Sequence, residues 1–184
     1  SVELGGRRLD GLAPHTRVRA GLARTFQSLE LFDDLSVEEN VLVSGDRHGW
    51  LETLRDLVLP VRTDASRAAR ALGAMGIEAL AAMLPTDLSH GQQKLVALAR
   101  ALASEPALIL LDEPGAGFSI TETEELGRRL RAFAADGTSM LLIDHDMALV
   151  LGFCDYVYVL EFGKLIAQGT PAEYFWVFLS FSMM

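Results

Sequence analysis

The chain has 184 residues, half of them hydrophobic and 22% charged, which is enough to bury the core of one compact domain. A net charge of −9 argues against nucleic acid as the main ligand, and the single cysteine, Cys154, excludes an intrachain disulfide. No apolar run reaches the roughly 18 residues of a membrane span and Ser1 opens no signal peptide, so the composition is that of a soluble chain.

The opening "SVELGGRRLDGL" predicts two short strands joined at Gly5-Gly6. "PHTRVRAGLARTFQ" predicts a Pro-initiated turn of helix, a stop at Gly21 and an extended segment ending at Gln27. "SVEENVLVSG" has the pattern of a helix capped by Ser36, with Glu39 three residues on to complete a capping box. From Leu51 to Leu84 the text is rich in Ala, Leu and Arg and is broken by Pro60, Gly73 and Gly76, which predicts short packed helices. This block, from about Leu35 to Leu84, has the look of an insertion into an α/β core.

Beyond Pro85 the pattern changes. A helix over Gln92 to Ser104 precedes "ALILL", a continuous apolar run that predicts a strand buried on both faces of a parallel sheet. A helix over Glu122 to Ala135, a second buried strand "SMLLI" and a helix over Met147 to Gly152 follow. Phe162-Gly163-Lys164 forms the turn of a closing hairpin. Strand–helix–strand alternation implies right-handed parallel crossovers, with ligands at the carboxyl ends of the strands.

Those ends carry the candidate chemistry. "LLDEP" puts Asp112 and Glu113 where the first buried strand leaves the sheet, and "LIDHD" puts Asp144, His145 and Asp146 at the same edge if the strands are parallel. An acidic pair and a histidine converging there suit Mg²⁺ and an activated water. The bland alternative is that the acids cap the next helices; it is the better account of Asp144 and Asp146, and the functional account is the better one of Asp112 and Glu113. In "LSHGQQKLVALARAL", Ser89 and Gly91 open a helix whose free amides and dipole suit a phosphate, while Ser89 with Gln92 would equally make an ordinary capping box. His90 reads as solvent-facing.

In this order "LSHGQQK", "LILLDEP" and "IDHD" resemble the signature, the Walker B strand and the switch histidine of the nucleotide-binding subunits of ABC transporters. Each pattern is common alone; the three together are specific. "RTFQSLELFDDLSVEENVLV", "DEPGAGFSITETEEL" and "GTPAE" resemble the ATPase subunits of high-affinity branched-chain amino-acid importers, so the resemblance runs from about Ser1 to Glu173. It implies an α/β fold, a P-loop NTPase-like ABC cassette core with a parallel sheet, an inserted α-helical subdomain and flanking antiparallel β elements. On that pattern residues 1–34 hold the hairpin and Q-loop region and 35–104 the helical subdomain with the signature. Residues 105–173 form the Walker B, D-loop and switch-histidine core, and 174–184 an atypical apolar tail.

The resemblance also implies roles. Asp112 would bind Mg²⁺ through water, and Glu113 would be the general base for the attacking water. His145 would contact the ATP γ-phosphate. Gln27 would touch Mg²⁺ and water and follow the docked membrane subunit. Ser89, Gly91 and Gln92 would close on the γ-phosphate held by a second ATP-binding subunit. Ser119 stands at the end of the D-loop segment, where many members carry Asp. Transmembrane permease subunits would be the partners, at the cytoplasmic face of the plasma membrane. The phosphate-cradling G-x-x-x-x-G-K-[ST] does not occur in the sequence. That makes an N-terminally truncated cassette the simplest expectation, binding ATP weakly or not at all by itself. The alternatives are a non-catalytic cassette remnant and a soluble ABC ATPase of translation or DNA repair; the latter normally shows two cassettes or long coiled-coil arms.

Overall fold

In the computed structural model, residues 1–25, 29–45 and 63–173 are described. Gln27, much of the segment from Leu51 to Leu84 and the apolar tail from Tyr174 therefore lie outside the described residues or only partly within them.

Strands β1 (Glu3–Leu4) and β2 (Arg7–Arg8) pair antiparallel across Gly5-Gly6. Helix α1 (Pro14–Arg19) starts on its proline and gives way at Gly21 to β3 (Leu22–Arg24). The central sheet is parallel, in the order β3, β4 (Leu108–Asp112), β5 (Ser139–Ile143). Leu22 lies opposite Leu108, and Asp112 opposite Ile143, so β4 and β5 end at the same edge. That shared edge positions the site.

Three helices form the neighbouring layer: α2 (Val37–Gly45), α3 (Thr63–Met75) and α4 (His90–Ala103). Val37 and Val41 from α2, Ala71 and Met75 from α3, and Val96, Ala99 and Leu102 from α4 are all buried in one cluster. The same cluster takes in Ile109 and Leu111 from β4, Leu126 and Leu130 from α5 (Ile120–Ala134), and Leu149 from α6 (Met147–Phe153). The helical layer and the sheet thus share a single core. Asn40 is buried on α2 and fastens the preceding loop: its Nδ2 donates to the carbonyls of Phe32, Leu35 and Ser36, and its Oδ1 accepts from the Phe32 amide at 2.8 Å. A hairpin of β6 (Val157–Glu161) and β7 (Lys164–Gly169) turns at Phe162-Gly163, as the sequence implies.

One expectation needs correction. The two apolar strands are not buried on both faces. On β4, Ile109 and Leu111 are buried while Leu108 and Leu110 are half-buried; on β5, Leu141 is 50% and Ile143 61% exposed. Among the described residues the helices contribute a core to one face of the sheet. A continuous apolar run records what each residue can bury, not which of its two faces is covered here.

Candidate active site

The end of β4 is held by backbone and side-chain bonds from β3. The Thr25 amide donates to the Leu110 carbonyl at 2.9 Å, and the Asp112 amide donates to the Thr25 hydroxyl at 3.3 Å. Arg24 Nη2 lies 3.2 Å from Asp112 Oδ2, so the carboxylate enters the site already paired with a cation. One residue on, the Glu113 amide still bonds to the Ile143 carbonyl at 2.8 Å, and the chain then leaves the sheet with Glu113 at φ +46°. A non-glycine residue there is strained by about 1–2 kcal/mol. The strained turn lifts the Glu113 side chain out of the sheet edge, 37% exposed.

From β5, His145 Nδ1 lies 3.4 Å from Glu113 Oε1 and 3.7 Å from Asp144 Oδ1. Asp146 caps α6, its Oδ1 accepting from the amides of Ala148 at 2.8 Å and Leu149 at 3.2 Å. Asp144 Oδ1 accepts from the Asp146 amide at 2.9 Å. The capping account therefore matches Asp146, while Asp144 instead forms a turn with the Asp146 amide ahead of the helix, and Glu113 and His145 come together.

The start of α4 carries a complete capping box. The Gln92 amide donates to Ser89 Oγ at 3.3 Å and the Ser89 amide to Gln92 Oε1 at 2.9 Å. The box leaves the amides of His90 and Gly91 as the donors of that first turn with no intrahelical acceptor. His90 is exposed. Gly91 is needed for packing as well as for approach, since a Cβ there would come within 3.2 Å of the Phe118 ring. Ser119, at the end of the D-loop-like segment, caps α5: it accepts from the Glu122 amide at 3.4 Å and donates to Glu122 Oε2 at 2.7 Å. Gly91 thus sits beside Phe118 and Glu122, at the start of the next helix.

Sequence reasoning missed three contributors. Lys94, one turn beyond Gly91, donates through Nζ to the Ala116 carbonyl and lies 5.7 Å from the centre of the Phe118 ring. Burial pushes the Lys94 ammonium below its ordinary value, opposed by the charges of Asp144 and Glu113. Lys94 therefore ties the α4 start to the segment after Glu113 and faces the same two acids. Arg24 and Thr25 are the others. The only signal for all three was adjacency in the sequence to residues already singled out; their partners are distant in the chain.

Comparisons with known proteins identify the family. A family model described as ABC transporter matches residues 1–116. The chain is 36% identical to the high-affinity branched-chain amino acid transport ATP-binding protein LivG of Salmonella typhimurium, over 94% of this chain and 71% of that protein. It is 32% identical to the BraF protein of the same description from Pseudomonas aeruginosa, over 94% of this chain and 70% of that one. The dimeric structure of a post-hydrolysis state of the ATP-binding cassette MJ0796, bound to ADP and Pi, superposes with a TM-score of 0.73 at 25% identity, over 91% of this chain and 72% of that one.

Proposed function

Because this chain belongs to the ABC transporter family, we propose that it is an ATP-hydrolysing subunit that energises import of branched-chain or related amino acids through membrane permease subunits. The observation that carries the reading is the approach of His145 Nδ1 to Glu113 Oε1, 3.4 Å, beside the strand end that presents Asp112.

Each residue then has a task. Glu113 holds the attacking water and takes its proton as the oxygen closes on the γ-phosphorus. His145 binds the γ-phosphate and keeps it in line. Among the described residues there is no group of three or more His, Cys, Asp or Glu that could hold a metal. One carboxylate with substrate phosphates and water is, however, an ordinary Mg²⁺ environment. Asp112 would be that carboxylate, with Gln27, which lies outside the described residues, as the second residue that the family pattern assigns to the ion. Bound there, Mg²⁺ would neutralise phosphate charge during transfer. Arg24, now paired with Asp112, keeps the carboxylate in place until the nucleotide arrives.

Ser89, Gly91 and Gln92 serve the other half of the reaction. The dipole and free amides of α4 close on the γ-phosphate of a second ATP-binding subunit, so hydrolysis requires a dimer. Ser119 adds the D-loop contact only insofar as its capping bonds to Glu122 allow. No helix of the described residues is long and apolar enough to cross a membrane, and the subunit acts peripherally, docked on its permeases at the cytoplasmic face.

The test uses the full gene product, assembled with its permease. Glu113→Gln should abolish steady-state ATP hydrolysis, by roughly 100-fold or more, while ATP-dependent dimerisation, read by light scattering, persists. Hydrolysis at the unsubstituted rate would overturn the assignment of Glu113.

A further inference from the structure

Asp144 lies between β5 and α6, directly before His145, and its side chain is only 2% exposed. Oδ1 accepts from the Asp146 amide. Oδ2 is buried and, among the described residues, is the one such side-chain atom with no hydrogen-bond partner. Buried polar atoms are nearly always partnered, and a carboxylate oxygen is the most demanding of them. This oxygen is an unfilled acceptor on a buried carboxylate.

Two donors stand near the Asp144 carboxylate, though neither is bonded to Oδ2. Lys94 is attracted by the Asp144 charge but gives its proton to the Ala116 carbonyl. His145 is the other. Its Nδ1 lies between two carboxylates, 3.4 Å from Glu113 Oε1 and 3.7 Å from Asp144 Oδ1. Both distances exceed the about 2.9 Å of an ordinary N–H···O bond. The ring is committed to neither acid, and at 78% exposure it has room to rotate.

We propose that Asp144 is the positioning residue for His145: its buried carboxylate takes the imidazole Nδ1–H when Glu113 engages the attacking water, and so holds Nε2 toward the γ-phosphate. The proposal rests on the ATPase reading of this site. Glu113 cannot keep its best geometry for both the ring and the water, so a second acceptor behind the ring releases it. Asp144 is suited to that task because β5, the Asp146 amide and burial fix it, whereas Glu113 is half-exposed on a strained turn. Lys94, attracted to both acids from α4, limits their mutual repulsion.

The test reads the ring nitrogens of His145 by ¹⁵N NMR in the full gene product, with His145→Gln identifying its signals among the histidines. With a non-hydrolysable ATP analogue and Mg²⁺ bound, the Nδ1–H form should persist in Glu113→Ala and be lost in Asp144→Ala. In the assembled transporter, Asp144→Ala should lower kcat by roughly 10- to 100-fold with KM for ATP nearly unchanged, and Asp144→Asn, which keeps an acceptor oxygen, should restore part of it. Loss of the Nδ1–H form in Glu113→Ala, or its persistence in Asp144→Ala, overturns the proposal. So does a pair of Asp144 variants that lose thermal stability alone. If the unsubstituted protein does not hydrolyse ATP, the function reading fails; if it does and the Nδ1–H form ignores Asp144→Ala, the positioning role alone fails.

Discussion

Ser36 with Glu39, Ser89 with Gln92, Ser119 with Glu122 and Thr170 with Glu173 make the same reciprocal bond at four points of the chain. In three of them the reaching group is a glutamate, and its hydrogen bonds from the backbone and hydroxyl hold the carboxyl below the ordinary value of 4.5. A carboxyl whose value is lowered by folding adds stability above the unfolded value, and that stability is lost as pH falls through the folded value. The thermal midpoint should therefore drop as pH is lowered from 4.5. Glu122→Gln should flatten that acid limb while preserving the α5 cap, because Gln92 performs the same task at Ser89; an unchanged acid limb in a midpoint-versus-pH series would exclude Glu122 from it. The boxes at Ser36 and Ser89 were legible from spacing alone, since a capping box is local. The one at Ser119 has the same spacing, yet the family resemblance drew attention to its D-loop position first. Arg24, Lys94 and the burial of Asp144 were not legible, because each depends on a partner or a covering layer far along the chain.

At the scale of an element, Gly73 and Gly76 both look like helix breaks in the sequence, but only one is. Gly73 lies inside α3. Gly76 ends it, at φ +60°, with the Ile77 amide donating to the Leu72 carbonyl at 3.0 Å and the Gly76 amide to that of Gly73 at 3.0 Å. This is the paired-bond helix stop that a left-handed residue makes. Arg129 packs over it from α5, bonding to Glu125 at 2.7 Å and to the Met75 carbonyl, so a Cβ at Gly76 would come within 2.9 Å of the guanidinium. Gly76→Ala should cost about 1–2 kcal/mol from the backbone alone, and more if Arg129 is displaced. Urea unfolding of the two proteins measures it, and a loss below half of that would mean that the turn relaxes. Gly73→Ala should lack this backbone cost. The sequence shows a glycine; the bonds around it decide whether the helix stops.

Across the whole molecule, the two faces of the sheet are unequal. Ile109 is fully buried beneath the helices, whereas Leu141, on the adjacent strand, is 50% exposed. Ile109→Ala should cost about 2–5 kcal/mol, and Leu141→Ala within about 0.5–1 kcal/mol, in this chain. Comparable losses at both positions in denaturant titrations would mean that the open face is covered in solution. The parallel order β3, β4, β5 is also what brings Asp112, Glu113 and His145 to one edge, although the first two and the last are on different strands.

The sequence by itself determined the order of strands and helices, most helix starts, the two hairpin turns and the acids and histidine that belong together. Those features rest on short-range patterns: apolar periodicity, capping spacing, and motifs whose residues are consecutive. Only the tertiary structure decided which face of the sheet is covered, that Arg24 pairs with Asp112, that Lys94 bridges α4 to Ala116, and that Asp144 is buried behind His145 with an acceptor to spare. Burial and charge pairing are properties of neighbours brought together by folding, and no local pattern in the chain encodes them.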